Sequence, residues 1–111
     1  MKTYAVHITR TAQRDLSEAV GYIDNILKNP IAADSLLEEF EKKTAELAVF
    51  PEKYRLASDK TLSSWGIRFL TVGNYLAIYL IDEDADTVYI VRFLYGKSNW
   101  ISILKGGIST S

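Results

Sequence analysis

The stretch WGIRFLTVGNYLAIYLIDEDADTVYIVRFLYGKSNW, residues 65–100, reads as three strands joined by two short turns. Gly73-Asn74 separates Ile67–Val72 from Tyr75–Ile81. Both residues tolerate positive φ, so the pair between two β-rich runs signals a tight hairpin. The acidic run Asp82-Glu83-Asp84-Ala85-Asp86 fits a longer, solvated turn before a third strand, Thr87–Leu94. The Val, Ile, Tyr and Phe of these runs suit a pleated, buried surface. Tyr75–Ile81 and Val88–Tyr95 do not alternate; they are apolar on both sides. A strand with one wet face alternates apolar and polar residues. Both faces of this sheet therefore demand cover.

The upstream half supplies one cover. Lys2–Ile8 reads as a short strand, and Thr9 or Thr11 is placed to cap a helix. Ala12, Leu16, Ala19, Val20, Ile23 and Leu27 then recur at helical spacing. Asn29-Pro30 ends that helix and starts another. Ala33, Leu36, Leu37, Phe40, Thr44, Leu47 and Ala48 line one side of it, as far as Phe50-Pro51. Residues 52–64 read as a loop. Ser98 is placed to cap a short helix, Asn99–Lys105, that stops at Gly106-Gly107.

The expected fold is α+β in the order β-α-α-β-β-β, a helical hairpin packed on a four-stranded, mainly antiparallel sheet. A short C-terminal helix follows, and residues 106–111 form a flexible tail. A chain of 111 residues is expected to be a single domain. One helical hairpin covers one face of a sheet. The expectation is that the other face stays apolar and open for a partner; the alternative is that the 52–64 loop and the last helix close it.

Composition excludes several function classes. The chain has no cysteine, so thiolate chemistry and disulfides are out, as in a reducing cytoplasm. No apolar leader or membrane-length run is present, and the expected location is cytoplasmic. Net charge is −1, with no global basic footprint for nucleic acid. The balance is uneven, however: residues 1–50 sum to −2 and residues 87–111 to +3. His7 stands alone, and the Asp82–Asp86 run lacks Ca-loop spacing, so neither a metal nor a cofactor is expected. No phosphate-binding glycine loop, nucleophile elbow or carboxylate pair is present.

One ordered set of residues is more specific. Ala12 and Asp15-Leu16 open the first helix, followed by Tyr22-Ile23, Asn29-Pro30 and Ala32-Ala33. Leu47 and Phe50-Pro51 close the second. Gly66-Ile67-Arg68, Val72-Gly73-Asn74-Tyr75, Ile78-Tyr79 and Val91-Arg92-Phe93-Leu94-Tyr95-Gly96 follow. Over roughly residues 4 to 100 this resembles the RelE/ParE superfamily of toxins from type II toxin–antitoxin modules, closest to the ParE, plasmid-stabilisation side. The resemblance implies a cognate antitoxin whose flexible segment folds on the toxin, and a homodimer when that antitoxin is absent. It implies one of two activities: cleaving mRNA on the ribosome, or poisoning DNA gyrase by binding. A homologue that keeps the fold without toxicity is the third reading.

Metal-free RNA cleavage needs cations around the phosphate, each worth about 3 kcal/mol at the transition state. The ribonuclease branch sets an arginine after the hairpin tyrosine and a second cation after the final glycine. Here those positions hold Leu76 and Ser98. Two missing donors correspond to a factor of roughly ten thousand in rate. Arg68 and Lys97 are the catalytic candidates if the chain is a ribonuclease, with Lys53 and Arg55 as remaining cations. Arg92, Tyr95, Trp100 and Tyr79 are the candidates for contacting a target or antitoxin. Alternation puts Arg92 beside Val88, Ile90 and Leu94, where a guanidinium needs an acidic partner. The balance favours a gyrase-binding toxin over an mRNA interferase.

Overall fold

The computed structural model describes residues 2–111. Four strands form one sheet in the order β1-β4-β3-β2: β1 (Ala5–Ile8), β2 (Arg68–Val72), β3 (Tyr75–Asp82) and β4 (Thr87–Tyr95). The hairpins β2–β3 and β3–β4 are antiparallel, while β1 runs parallel to β4. The sheet is therefore mixed, and the fold is α+β in the expected order.

Thr9 connects β1 to α1 (Arg10–Gly21). Its Oγ1 accepts from Ala12 N at 3.2 Å and donates to Val91 O at 3.3 Å, so the cap is also tied to the sheet. A turn of π-helix, Tyr22–Ile26, comes next, closed by Leu27 N donating to Tyr22 O at 3.1 Å. The inserted residue rotates the downstream backbone by about 100°. This is why Leu27, expected on the apolar stripe, is 55% exposed while Ile23 still packs inward. Asn29 caps α2 (Pro30–Glu46) through Ala32 N at 3.1 Å, with Pro30 in the first turn where no N–H is needed.

The helical hairpin buries one sheet face. Phe40, Leu70, Val72, Ala77, Tyr79, Ile90 and Phe93 meet there, with Phe40 edge-on to Phe93 at 5.2 Å. The register of β3 against β4 shifts between Ile78 and Tyr79, leaving Val91 as the extra residue. The bulge breaks the expected alternation. Val88, Ile90 and Phe93 face the hairpin, whereas Val91 and Leu94 face the other side.

That other side is closed, which corrects the expectation of an open apolar face. Residues 52–64, read as loop, contain α3 (Lys60–Ser64), and its Leu62 is fully buried. α4 (Trp100–Lys105) buries Leu104 beside it. Ala57, Leu62, Ile67, Leu76, Ile78, Val91 and Leu104 form a second core. Asp59 caps α3 through Leu62 N at 3.1 Å and pairs with Lys105 of α4 at 3.0 Å. The signal was missed because α3 is one turn, too short to show periodicity. Ser98 does not cap α4; its hydroxyl turns back to Tyr95 O, and Asn99 precedes the helix. In the tail, Ile108 packs on the second core and Ser111 O accepts from Arg10 N at 3.0 Å. Among the described residues no helix is long and apolar enough to cross a membrane.

Candidate partner-binding surface

The sheet separates the two residues proposed for RNA cleavage. Arg68 opens β2, opposite Tyr79, whereas Lys97 lies beyond Tyr95, opposite Tyr75 at the other end. Four residue steps along the strand, about 13 Å, separate those ends. Arg68 is also engaged: its Nη1 donates to Tyr54 O at 2.6 Å, pinning the 52–58 segment to β2. Lys97 is exposed in the turn after β4 and has no hydrogen bond or ion pair among the described residues.

Arg92 is neutralised inside the chain. Its Nε and Nη2 donate to the Asp15 carboxylate at 2.7 and 3.1 Å, and the Asp15 side chain is only 10% exposed. β1 has ended by this level, so Asp15 also takes the Phe93 N–H at 3.1 Å. It stands where the next strand's carbonyl would be. Tyr79 is fully buried, and its hydroxyl donates to Pro51 O at 2.7 Å. Burial pushes this phenol up to about 12, and it presents no surface to a partner. Trp100 is half-buried over Phe69, ring centroids 5.3 Å apart, as part of the second cover.

Tyr95 alone of these residues lines an uncharged cavity near the hairpin tip. A cavity of about 600 Å³ lies between the hairpin tip and the β2–β3 turn. Tyr22, Tyr75 and Tyr95 line it together with Ile23, Leu27 and Ala32, and Asn29 and Asn74 supply the amides. No charged side chain lines it. Tyr75 stacks on Phe93 at 5.0 Å and meets Tyr95 edge-on at 5.6 Å. Its phenol is held above its usual value by burial, then by the phenols of Tyr22 and Tyr95. A shallower trough containing Glu18, Arg92 and Ile103 continues from the same tyrosines.

Of the residues lining this cavity, Tyr22 is 50% exposed, Leu27 55% and Tyr95 43%. Sequence reasoning missed Tyr22 and Leu27, which it assigned to a continuous helix. No pattern in the chain marks the π turn that rotates Leu27 outward. A second cleft, about 520 Å³, runs along β2 and carries Lys43, Lys53 and Arg55.

The model of a family described as the ParE toxin of type II toxin–antitoxin system, parDE, matches residues 6–100. Among solved structures, the chromosomal ParDE system from P. aeruginosa is similar, with TM-score 0.66 and 18% identity. That match covers 84% of this chain and 96% of the other. The RelBE2 toxin–antitoxin complex from Mycobacterium tuberculosis is also similar, with TM-score 0.57 and 23% identity over 84% of this chain and 98% of the other. A comparison with curated protein sequences gives no match.

Proposed function

The chain belongs to the ParE toxin family of type II toxin–antitoxin systems, and on that premise we propose that it arrests growth by binding DNA gyrase in the cytoplasm. A cognate antitoxin neutralises it by covering the tyrosine cavity. The observation that carries this reading is that Tyr22, Leu27 and Tyr95, each more than 40% exposed, line one uncharged cavity. Contiguous apolar surface of this kind marks a protein interface, and tyrosines in a pocket are typical energetic anchors. A second copy of the chain can bury the same patch when the antitoxin is absent.

Binding is favoured over RNA cleavage because the arginines on the strands are already spoken for. Arg68 holds a backbone carbonyl and Arg92 holds Asp15. The test is induced expression with and without the product of the adjacent reading frame, following plasmid supercoiling and mRNA integrity. Loss of supercoiling that the neighbour restores is expected. Purified chain that leaves gyrase supercoiling untouched at micromolar concentration removes the gyrase target. The interferase reading keeps one support, the cations of the β2 cleft. It predicts cut mRNA that Lys53→Ala with Arg55→Ala abolishes.

A further inference from the structure

The outer edge of β2 is open for a short length beside these cations. Val72 and Tyr75 flank the two-residue turn, so Val72–Tyr75, Leu70–Ala77 and Arg68–Tyr79 are the hydrogen-bonded pairs. The backbone groups of Phe69 and Thr71 therefore point away from β3. Leu56 bridges the strand at Arg68, and Ala57 N donates to Ile67 O at 2.8 Å. Past that bridge the Phe69 carbonyl and the Thr71 N–H have no partner among the described residues. Thr71 O takes only the ammonium of Lys43, at 2.7 Å.

The side chains that line the cleft beside this edge carry one sign of charge, and Glu39 stands at its turn end, where its carboxylate accepts from the Gly73 N–H at 3.2 Å and from Lys43. Lys43, Lys53 and Arg55 line the cleft, with no acid among its walls. Lys43 and Lys53 reach out of it to Glu39 at 2.9 Å and Glu46 at 3.2 Å. Such exposed pairs are weak and exchangeable. Arg55 has no ion pair among the described residues. Leu56 and Phe69 give the cleft an apolar component.

We propose that β2 accepts an acidic, extended polypeptide segment as a fifth strand, its carboxylates meeting Lys43, Lys53 and Arg55. The occupant is a segment of the antitoxin, so the inference rests on the toxin–antitoxin reading above. A strand backbone supplies both the donor that Phe69 O needs and the acceptor that Thr71 N–H needs. The sugar–phosphate backbone of RNA supplies acceptors, with the ribose hydroxyl as its one donor, and the N–H donors of RNA sit on the bases and not at a strand's repeat. Position favours one continuous partner as well. Asn74, in the tyrosine cavity, lies three residues beyond Thr71, about 10 Å along the chain. One segment can run along β2 and anchor there.

The experiment uses the full chain and the adjacent-frame product that relieves its growth arrest. Binding is measured by calorimetry between about 50 and 300 mM salt, and amide exchange by NMR. The Thr71 amide exchanges fast in the free chain and is protected in the complex. Affinity falls with salt. Lys43→Gln with Arg55→Gln weakens binding at least about tenfold. Thr71→Pro removes only an outward N–H, which an edge strand tolerates, and weakens binding to a similar degree. Arg55→Gln alone, which breaks no pair in the fold, guards against loss of folding, as does a melting curve for each variant.

If the product binds and neutralises while Thr71 exchanges as in the free chain and the charge variants bind within twofold, the inference is overturned and the toxin–antitoxin reading stands. If no adjacent-frame product binds or relieves arrest, both fall. Protection of Thr71 by a twelve-nucleotide RNA but not by the protein overturns the inference in favour of a nucleic-acid cleft.

Discussion

Asp15 accepts three hydrogen bonds with two oxygens: two from Arg92 and one from the Phe93 N–H. Removing it leaves a half-buried guanidinium and a strand amide unpaired. Asp15→Ala is expected to cost about 3 kcal/mol, near the lower end for a broken buried pair, read as a lowered midpoint in urea. Tyr79 makes a different prediction. Its phenol is raised from 10 to about 12, chiefly by burial. The protonated form is favoured in the fold, so its stabilising effect is complete below pH 10 and is lost as pH rises through 12. Tyr79→Phe abolishes that part of the alkaline loss in a pH series of melts. At pH 7 it costs about 1–2 kcal/mol, because Pro51 O loses its donor.

The two short helices of the second cover act together. α3 and α4 each insert one fully buried leucine, Leu62 and Leu104, into the same core. Truncating either to alanine is expected to cost about 3 kcal/mol, with a drop in the near-ultraviolet signal of Trp100 as its support loosens. Asp59 joins the two helices. The Leu62 N–H, then the Lys105 ammonium, hold its carboxyl below the usual range. A depressed folded value means the contribution is present above the unfolded value, about 4, and lost as pH falls below it. Acid melts of Asp59→Asn should be flatter than those of the parent through that window. A fall of equal steepness in both sinks the assignment. The π turn acts at the opposite end of the molecule. By inserting one residue after α1 it turns Leu27 from core to surface and opens one wall of the tyrosine cavity.

A sheet closed on both faces changes what a partner must recognise. The partner does not finish the core; it takes the apolar tip and the open edge. Tyr22→Ala and Tyr95→Ala are each expected to weaken antitoxin binding by about 2 kcal/mol, roughly thirtyfold. Because both side chains are about half exposed, melting temperatures should barely move. Binding unchanged in both variants, measured by calorimetry on the purified complex, removes the cavity as the interface.

Much was legible in the chain: the hairpin at Gly73-Asn74, the acidic turn, the β1 strand, the cap at Thr9, the break at Asn29-Pro30 and the double-sided greasiness of β3 and β4. Each is a local preference or a periodicity, written in adjacent residues. The family, too, comes from their order and spacing. That residues 52–64 and the last helix close the second face was legible only as the alternative reading, because α3 is a single turn held by Asp59 and by contacts with α4, which lies some forty residues away. The β4 bulge and the π turn were hidden. Each adds one residue to a regular element, and nearby side chains choose where that residue goes. The π turn placed Leu27 in the cavity wall, and the Arg92–Asp15 pair joins residues 77 positions apart, so the candidate interface depended on long-range packing that no window of sequence contains.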